Sequence, residues 1–209
     1  PWNRNAAFVK LARNSRSVCV DLKHKKGREI FLELVGHADV VIENFSASTM
    51  SNLNLDYETL VEANPNIIYL TMPGFGKTGP YKDWVAFGPI IEPMSGLTAA
   101  MGYSLEEPRN SGVALVDPTS ATSAAAAIVT AIRSRKKKVG GSIKIEMSLH
   151  EAGVSFNGPW LIDSQLGAPS PVLNNGHPNM CPHGVYPCKG EDEWFALACE
   201  DQKDWETLA

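Results

Sequence analysis

One carboxylate, Asp117, closes the run Gly112-Val113-Ala114-Leu115-Val116-Asp117-Pro118 and opens a stretch of small residues from Thr119 to Ala131. Read as the junction between an apolar strand and a helix, this is a place to hold a nucleophile. The strand would fix its position, and the helix N-terminus favours its charged form. The small side chains behind it let another backbone, or a thin ligand arm, come close. Asp-Pro-Thr is also a good helix start, with Asp117 as N-cap and Pro118 at the first helical position. On pattern alone, capping is the commoner role for such an aspartate.

Other chemistry-bearing residues are more scattered. His177, Cys181, His183 and Cys188 lack the paired cysteine knuckle of structural zinc sites, so no metal is expected there. His150 beside Glu151 reads as a surface or capping residue of a helix. No Gly-x-Ser-x-Gly elbow follows a strand, which argues against a Ser-His-Asp hydrolase.

The elements that must position Asp117 follow from hydrophobic pattern. Ser17-Val18-Cys19-Val20-Asp21-Leu22 reads as a strand, and residues 25–37 as a helix with Ile30, Phe31 and Leu34 on its apolar stripe. Ala38-Asp39-Val40-Val41-Ile42-Glu43-Asn44 and Ile67-Ile68-Tyr69-Leu70-Thr71-Met72 are short apolar runs, as in strands buried on both faces. Residues 57–62 between them look helical and stop at Asn64-Pro65. This alternation predicts an α/β fold: an open, mostly parallel sheet with flanking helices, a Rossmann-like large domain. Pro73 to Pro80 is a glycine- and proline-rich loop at a strand's C-terminal end, the edge where such sheets bind ligands.

Further along, helices are expected over residues 90–101, 117–135 and 149–166. The second ends in Lys136-Lys137-Lys138, a solvated terminus that matches the helix dipole. Gly140-Gly141 turns the chain into the strand Ile143-Lys144-Ile145-Glu146-Met147. The domain reading is therefore 1–166 for the large domain, 167–190 for a Pro-, Asn-, Gly- and His-rich linker and loop, and 191–209 for the start of a smaller second domain. That domain opens with the strand Glu193-Trp194-Phe195-Ala196-Leu197-Ala198-Cys199 and a helix from Gln202.

Composition excludes several functions. With 209 residues, 44% hydrophobic and 20% charged, the chain can bury a core of ordinary globular type. A net charge of −4 provides no basic field for nucleic acid. No apolar run approaches the roughly 20 residues of a membrane span, and Pro1-Trp2-Asn3-Arg4 carries no signal-peptide pattern. Cys19, Cys181, Cys188 and Cys199 read as reduced thiols of a cytoplasmic protein. The first residue is not Met, and Asp204 to Ala209 ends within a helical pattern, so a fragment or a shortened relative of a longer protein is expected.

Several motifs recur in a fixed order. Ala12-Arg13-Asn14-Ser15-Arg16-Ser17 leads into Val20-Asp21-Leu22-Lys23. Ala38 to Phe45 and Asn64-Pro65-Asn66-Ile67-Ile68-Tyr69 follow. Gly74-Phe75-Gly76 with Gly79-Pro80-Tyr81, Ser95-Gly96-Leu97 and Asp117 come next, then Ile143 to Met147 and Pro182-His183-Gly184-Val185-Tyr186 before Trp194. The set resembles the class III CoA-transferases, the family of formyl-CoA and carnitine CoA-transferases, with 2-methylacyl-CoA racemases as relatives.

The resemblance implies an acyl-CoA:carboxylate CoA-transferase. It uses coenzyme A as acyl-CoA substrate, a carboxylic acid acceptor and no metal, and it forms a homodimer of interlocked chains. Asp117 then matches the nucleophile. Asn44, Phe45 and Ser46 match a segment lining the CoA nucleotide site, although a strand end with a buried Phe is an equal reading. Gly74, Phe75 and Gly76 would shape the pantetheine passage, or simply turn the chain. His183, Gly184 and residues 174–182 fall where the family keeps a substrate loop with backbone oxyanion donors.

Two departures matter. Ser46-Ala47-Ser48 replaces the family's Arg-Pro-Gly, and Asn52 stands where some members place an arginine, so positive charge is missing where a phosphate is expected. The racemases need a His-Asp pair before Ser95-Gly96; here those places hold Phe87 and Gly88, which cannot move a proton. The family's first βαβ unit would precede Pro1. A CoA-binding or dimerisation module without turnover is therefore the second reading.

Overall fold

The computed structural model describes residues 4–104, 106–137, 140–167 and 174–209. Helices α1 (Ala6–Leu11) and α2 (Lys25–Gly36) precede strand β1 (Val40–Glu43). Helices α3 (Thr49–Asn52) and α4 (Tyr57–Ala63) connect it to β2 (Ile68–Thr71). Then come α5 (Gly88–Met94), α6 (Leu97–Ala100), the small hairpin β3 (Gly102–Ser104) and β4 (Glu107–Pro108), and the long helix α7 (Val116–Lys137). Strand β5 (Ile143–Glu146), helices α8 (Leu149–Phe156) and α9 (Gly158–Gln165), hairpin strands β6 (His183–Pro187) and β7 (Trp194–Ala198), and α10 (Gln202–Leu208) complete the order.

The principal sheet is three-stranded, in the order β1-β2-β5, and both pairings are parallel. Its register sets Ile68 opposite Val40 and Ile143, and Thr71 opposite Glu43 and Glu146. Every residue of β2 is buried because helices cover both faces. The faces part by the period-two alternation of a strand. Ile67 and Tyr69 point to one side, with Val35, Met50, Leu55 and Leu60 of the α2, α3 and α4 layer. Leu70 and Met72 point to the other, with Ile91, Leu97, Val116, Ala124 and Leu149 of the α5–α8 layer. The chain is thus a mixed α/β protein with a parallel sheet flanked by helices, as the hydrophobic pattern predicts.

The opposite ends of the sheet have different duties. At the N-terminal edge, Asn64 donates through Nδ2 to the carbonyls of Val35 (3.1 Å) and Ala38 (2.8 Å), joining the end of α2 to the entry of β1. Asn66 Oδ1 accepts from Gly141 N–H at 3.0 Å, and Arg135 pairs with Asp39 at 2.9 Å. The Asn64-Pro65-Asn66 motif is therefore a tie for backbone groups that the ladder leaves open. The C-terminal edge is left for loops.

Two expected strands are absent. Residues 17–22 run without a ladder; Val18 is 64% exposed, while Leu22 rests against the α2–α4 core. β-branched residues favour a strand only where a neighbouring strand offers partners, and among the described residues none pairs with these. Residues 112–116 form no strand either, because Gly112 (φ +73°) and Ala114 (φ +49°) curl the backbone. The junction before Asp117 is a turn.

Two expected helices are broken. The 90–101 helix becomes α5 and α6, divided at Gly96 with φ +81°. The 149–166 helix becomes α8 and α9, divided at Asn157, with Pro159 in the first turn of α9. Lys136 and Lys137 end α7 as expected. Lys138, Pro1 to Asn3, and residues 168–173 of the expected linker lie outside the described residues.

Candidate active site

Asp117 sits in the first turn of α7, which begins one residue earlier at Val116. The N-cap role expected for it is not what the structure shows. Its backbone N–H donates to Ala114 O at 2.9 Å, and its carboxylate accepts no hydrogen bond among the described residues. Pro118 accordingly stands one turn position beyond Asp117 rather than at the first helical place. A carboxylate that does not cap has its lone pairs available.

Gly88, the first residue of α5, faces that carboxylate. A Cβ at Gly88 would lie 2.7 Å from Oδ1, 2.8 Å from Oδ2 and 2.7 Å from Ala114 Cβ, closer than such atoms come. The missing side chain is the space Asp117 occupies. Its carboxyl is held above the usual carboxylate range, first by desolvation and second by the nearby charge of Glu92.

Beside this pair a cleft of about 360 Å³ opens at the C-terminal edge of the sheet. Its walls include Asn44, Phe45 and Ser46 after β1, Gly74 after β2, and Lys82, Trp84 and Phe87 from the loop that enters α5. Phe87 adjoins Gly88, so the cleft and Asp117 are neighbours, though Asp117 is not itself part of the cleft wall.

Each bank of the cleft is fixed locally. Glu43, nearly buried, accepts Phe45 N–H on one carboxylate oxygen and the Tyr69 hydroxyl on the other, both at 2.8 Å. Burial, with Glu43 next, raises the Tyr69 hydroxyl well above its ordinary range, so it stays a donor. Asn44 Nδ2 donates to Met72 O at 2.6 Å, joining the ends of β1 and β2. Gly74 O accepts from His150 N–H (2.9 Å) and Ser148 Oγ–H (3.2 Å), which fastens the glycine loop to the start of α8. A side chain at Gly74 would collide with Ala86.

The remaining expected site residues lie apart from the cleft wall. Phe75 anchors an aromatic cluster, with ring centroids 5.9 Å from Tyr81, 6.0 Å from Trp84 and 5.7 Å from His150. Gly76 turns the loop at φ +81°. His183 and Gly184 line a separate cleft of about 350 Å³ over the β6–β7 hairpin, with Asn174 to Gly176. His183 Nδ1 lies 2.7 Å from Asn175 O and donates its N–H to that carbonyl. Asn174 and Asn175 also reach the surface at Met101 and Tyr103 near β3.

Two residues of the site were not singled out by motif reasoning. Lys82 follows Gly79-Pro80-Tyr81 and brings a cation to the cleft wall. Glu92 is a lone acid in an otherwise apolar helix; that isolation is the only sequence signal for it. Among the described residues, no three His, Cys, Asp or Glu side chains converge in a way that could hold a metal ion, and no helix is long and apolar enough to cross a membrane.

A parallel sheet with an unpartnered carboxylate and a cleft at the carboxyl ends of its strands defines the class: an α/β protein, a class whose ligands bind at that edge of the sheet. Comparison with known proteins then gives the family. Residues 2–209 match CoA-transferase family III, and the chain belongs to it. It is 32% identical over 200 residues to succinyl-CoA–D-citramalate CoA-transferase from Chloroflexus aurantiacus, covering 95% of this chain and 49% of that protein. It is 36% identical over 194 residues to succinate–glutarate CoA-transferase from Agrobacterium fabrum, covering 88% and 46%. The crystal structure of a CaiB/BaiF family protein from Brucella suis superposes with a TM-score of 0.84 at 32% identity, covering 93% of this chain and 51% of that one. The chain spans about half the length of the curated relatives it matches.

Proposed function

We propose that the protein transfers coenzyme A between an acyl-CoA and a carboxylic acid through a covalent intermediate on Asp117. The observation that carries this reading is the Asp117 carboxylate, unbonded and facing the side-chain-free Gly88 beside the cleft. Carboxylates in such positions are otherwise spent on caps or ion pairs.

In the reaction, an Asp117 oxygen attacks the thioester carbonyl and CoA thiolate departs, leaving a mixed anhydride. The thiolate then attacks the aspartyl carbonyl, releases the donor's carboxylate and forms an aspartyl-CoA thioester. The acceptor carboxylate attacks that thioester, and the thiolate returns to the new acyl group, which restores Asp117. Covalent catalysis divides one hard exchange into easier ones. The raised pKa of Asp117 helps, since a more basic oxygen is a better nucleophile once ionised.

The cleft takes part of the CoA molecule; its volume suits a ligand arm within the usual range of about 300–1,000 Å³. Phe45, Trp84 and Phe87 offer apolar surface, and Ser46 and Gly74 polar backbone. Lys82 supplies the phosphate-directed charge that Ser46-Ala47-Ser48 and Asn52 lack. Asn52 itself lies on α3 and bonds Ser48 at 3.5 Å, outside the cleft. His183 and Gly184, on β6 within the 167–190 segment, serve the acyl end. Phe87 and Gly88 leave no acid–base pair for racemisation. A cytoplasmic homodimer completes the reading.

The test is to incubate the full chain with acyl-CoA and hydroxylamine and to map the product by mass spectrometry. A hydroxamate at Asp117, absent in Asp117→Asn, is expected. CoA binding without any trapping would instead support a binding module without turnover.

A further inference from the structure

Glu92 lies on α5 with a relative exposure of 0%, and no lysine or arginine among the described residues pairs with it. A carboxylate in that position is costly unless donors fill its oxygens. Among the described residues, all its donors come from one short segment. Ser111 N–H reaches Oε2 at 3.1 Å, and Leu115 N–H reaches Oε1 at 2.6 Å, where the Ser111 hydroxyl also donates. The same hydroxyl accepts from Val113 N–H (3.3 Å) and Leu115 N–H (3.2 Å). These bonds fold residues 111–115 into the turn that Gly112 and Ala114 permit, and Ala114 O then takes Asp117 N–H.

Glu92 therefore does from a neighbouring helix what an N-cap does from within. It takes up the N–H just before the first turn of α7 and places negative charge at that helix's positive end. We propose that Glu92 is the positioning residue for Asp117, holding the 111–115 turn so that the carboxylate stands over Gly88 and is not drawn into capping its own helix. This rests on the CoA-transferase reading for its functional consequence, and on geometry alone for the positioning.

The charge has a second effect. The elements packed against α7 are α5, α8, β2 and β5. Their ionisable side chains are Glu92 on α5, His150 and Glu151 on α8, Tyr69 on β2, and Lys144 and Glu146 on β5. His150 is turned to Met94 O at 3.0 Å, Tyr69 to Glu43, and Lys144 to Glu146 at 2.7 Å. Glu92 is the one whose charge acts on Asp117. A fixed negative charge there makes ionisation of Asp117 harder, so the acid limb of its reactivity lies at higher pH than for an isolated aspartate.

The test compares Glu92→Gln and Glu92→Asp in the full chain, by carboxyl NMR titration of Asp117 and by the pH profile of hydroxylamine trapping. Glu92→Gln keeps the shape and removes the charge, so Asp117 should titrate at lower pH than in the wild type, and the acid limb should move down with it. Glu92→Asp keeps the charge on a shorter arm, so the limb should hold while the rate falls about tenfold. A merely structural glutamate would lower stability in both variants and move neither titration. Folded Glu92→Gln with Asp117 titrating as in the wild type overturns the proposal. Should Glu92→Gln not fold, Ser111→Ala decides. It removes the hydroxyl linking Glu92 to the turn, and trapping at the wild-type rate overturns the proposal. Absence of trapping in the wild type would defeat the CoA-transferase reading alone, since the titration still reports on Glu92.

Discussion

Gly88→Ala is the sharpest perturbation of the site. The added Cβ would stand 2.7 Å from Asp117 Oδ1 and 2.7 Å from Ala114 Cβ, where ordinary contact begins at 3.4 Å. One side must yield by about 0.7 Å. Ala114 is attached to a left-handed backbone held through Leu115 and Ser111, so the carboxylate is the part that moves. A misplacement of about 1 Å at a reacting group costs on the order of a hundredfold in rate, so a loss of about ten- to a hundredfold is expected here. Stability should change little. Gly88 has an ordinary backbone conformation, and alanine there reduces the freedom of the unfolded chain by about 0.4–1 kcal/mol, which offsets part of the strain. The assay is hydroxamate formation at Asp117, measured beside CoA affinity and urea unfolding. A folded variant that traps acyl groups within about twofold of the wild-type rate would refute the placement of Asp117 over Gly88.

Two other outcomes follow from groups outside the nucleophile. Lys82→Gln should weaken CoA binding by about three- to tenfold, the worth of one exposed charged contact, and should flatten its dependence on salt. Calorimetric titration at low and high salt checks this, and unchanged affinity at low salt removes Lys82 from the phosphate site. Asp56 caps α4, accepting from Thr59 Oγ1 at 2.7 Å and Thr59 N–H at 3.1 Å. The Thr59 hydroxyl first, and its N–H second, hold the Asp56 carboxyl below the usual aspartate range. A lowered native pKa gives stability that is present above the unfolded value and lost as pH falls through the native one. Asp56→Ala should therefore cost about 1 kcal/mol near neutral pH and progressively less in acid. An equal cost at both ends of the titration would contradict that sign.

Much of the scaffold is legible in the chain: β2 lies in a continuous apolar run, as a strand covered on both faces needs, while β5 alternates Ile143 and Ile145 with Lys144 and Glu146, as a half-exposed strand does. α7 is equally plain, since a long stretch of small residues without glycine ends in lysines. Strand character at 17–22 and 112–116 is absent from the structure for a common reason. Composition reports what a residue tolerates, while a ladder requires a neighbour. At 111–115 the N–H groups that a strand would offer go to Glu92, 19 and 23 residues earlier in the chain. No local pattern foretells that bond. The same holds for Asp117: Asp-Pro reads as a cap because capping is local, and what releases its carboxylate is a side chain from another helix. Asn44 illustrates the converse. Its motif points to a ligand, yet its amide N–H is committed to Met72 O.

Glu43 and Glu92 belong to opposite layers, one facing the α2–α4 core through Tyr69 and the other anchored in α5. Neither shares a hydrogen-bonding partner with the other. Inheritance can therefore revise one rim without unsettling its counterpart. Residues on the cleft wall beside Glu43 are free to drift, while Asp117 keeps its post on an independently moored turn of backbone.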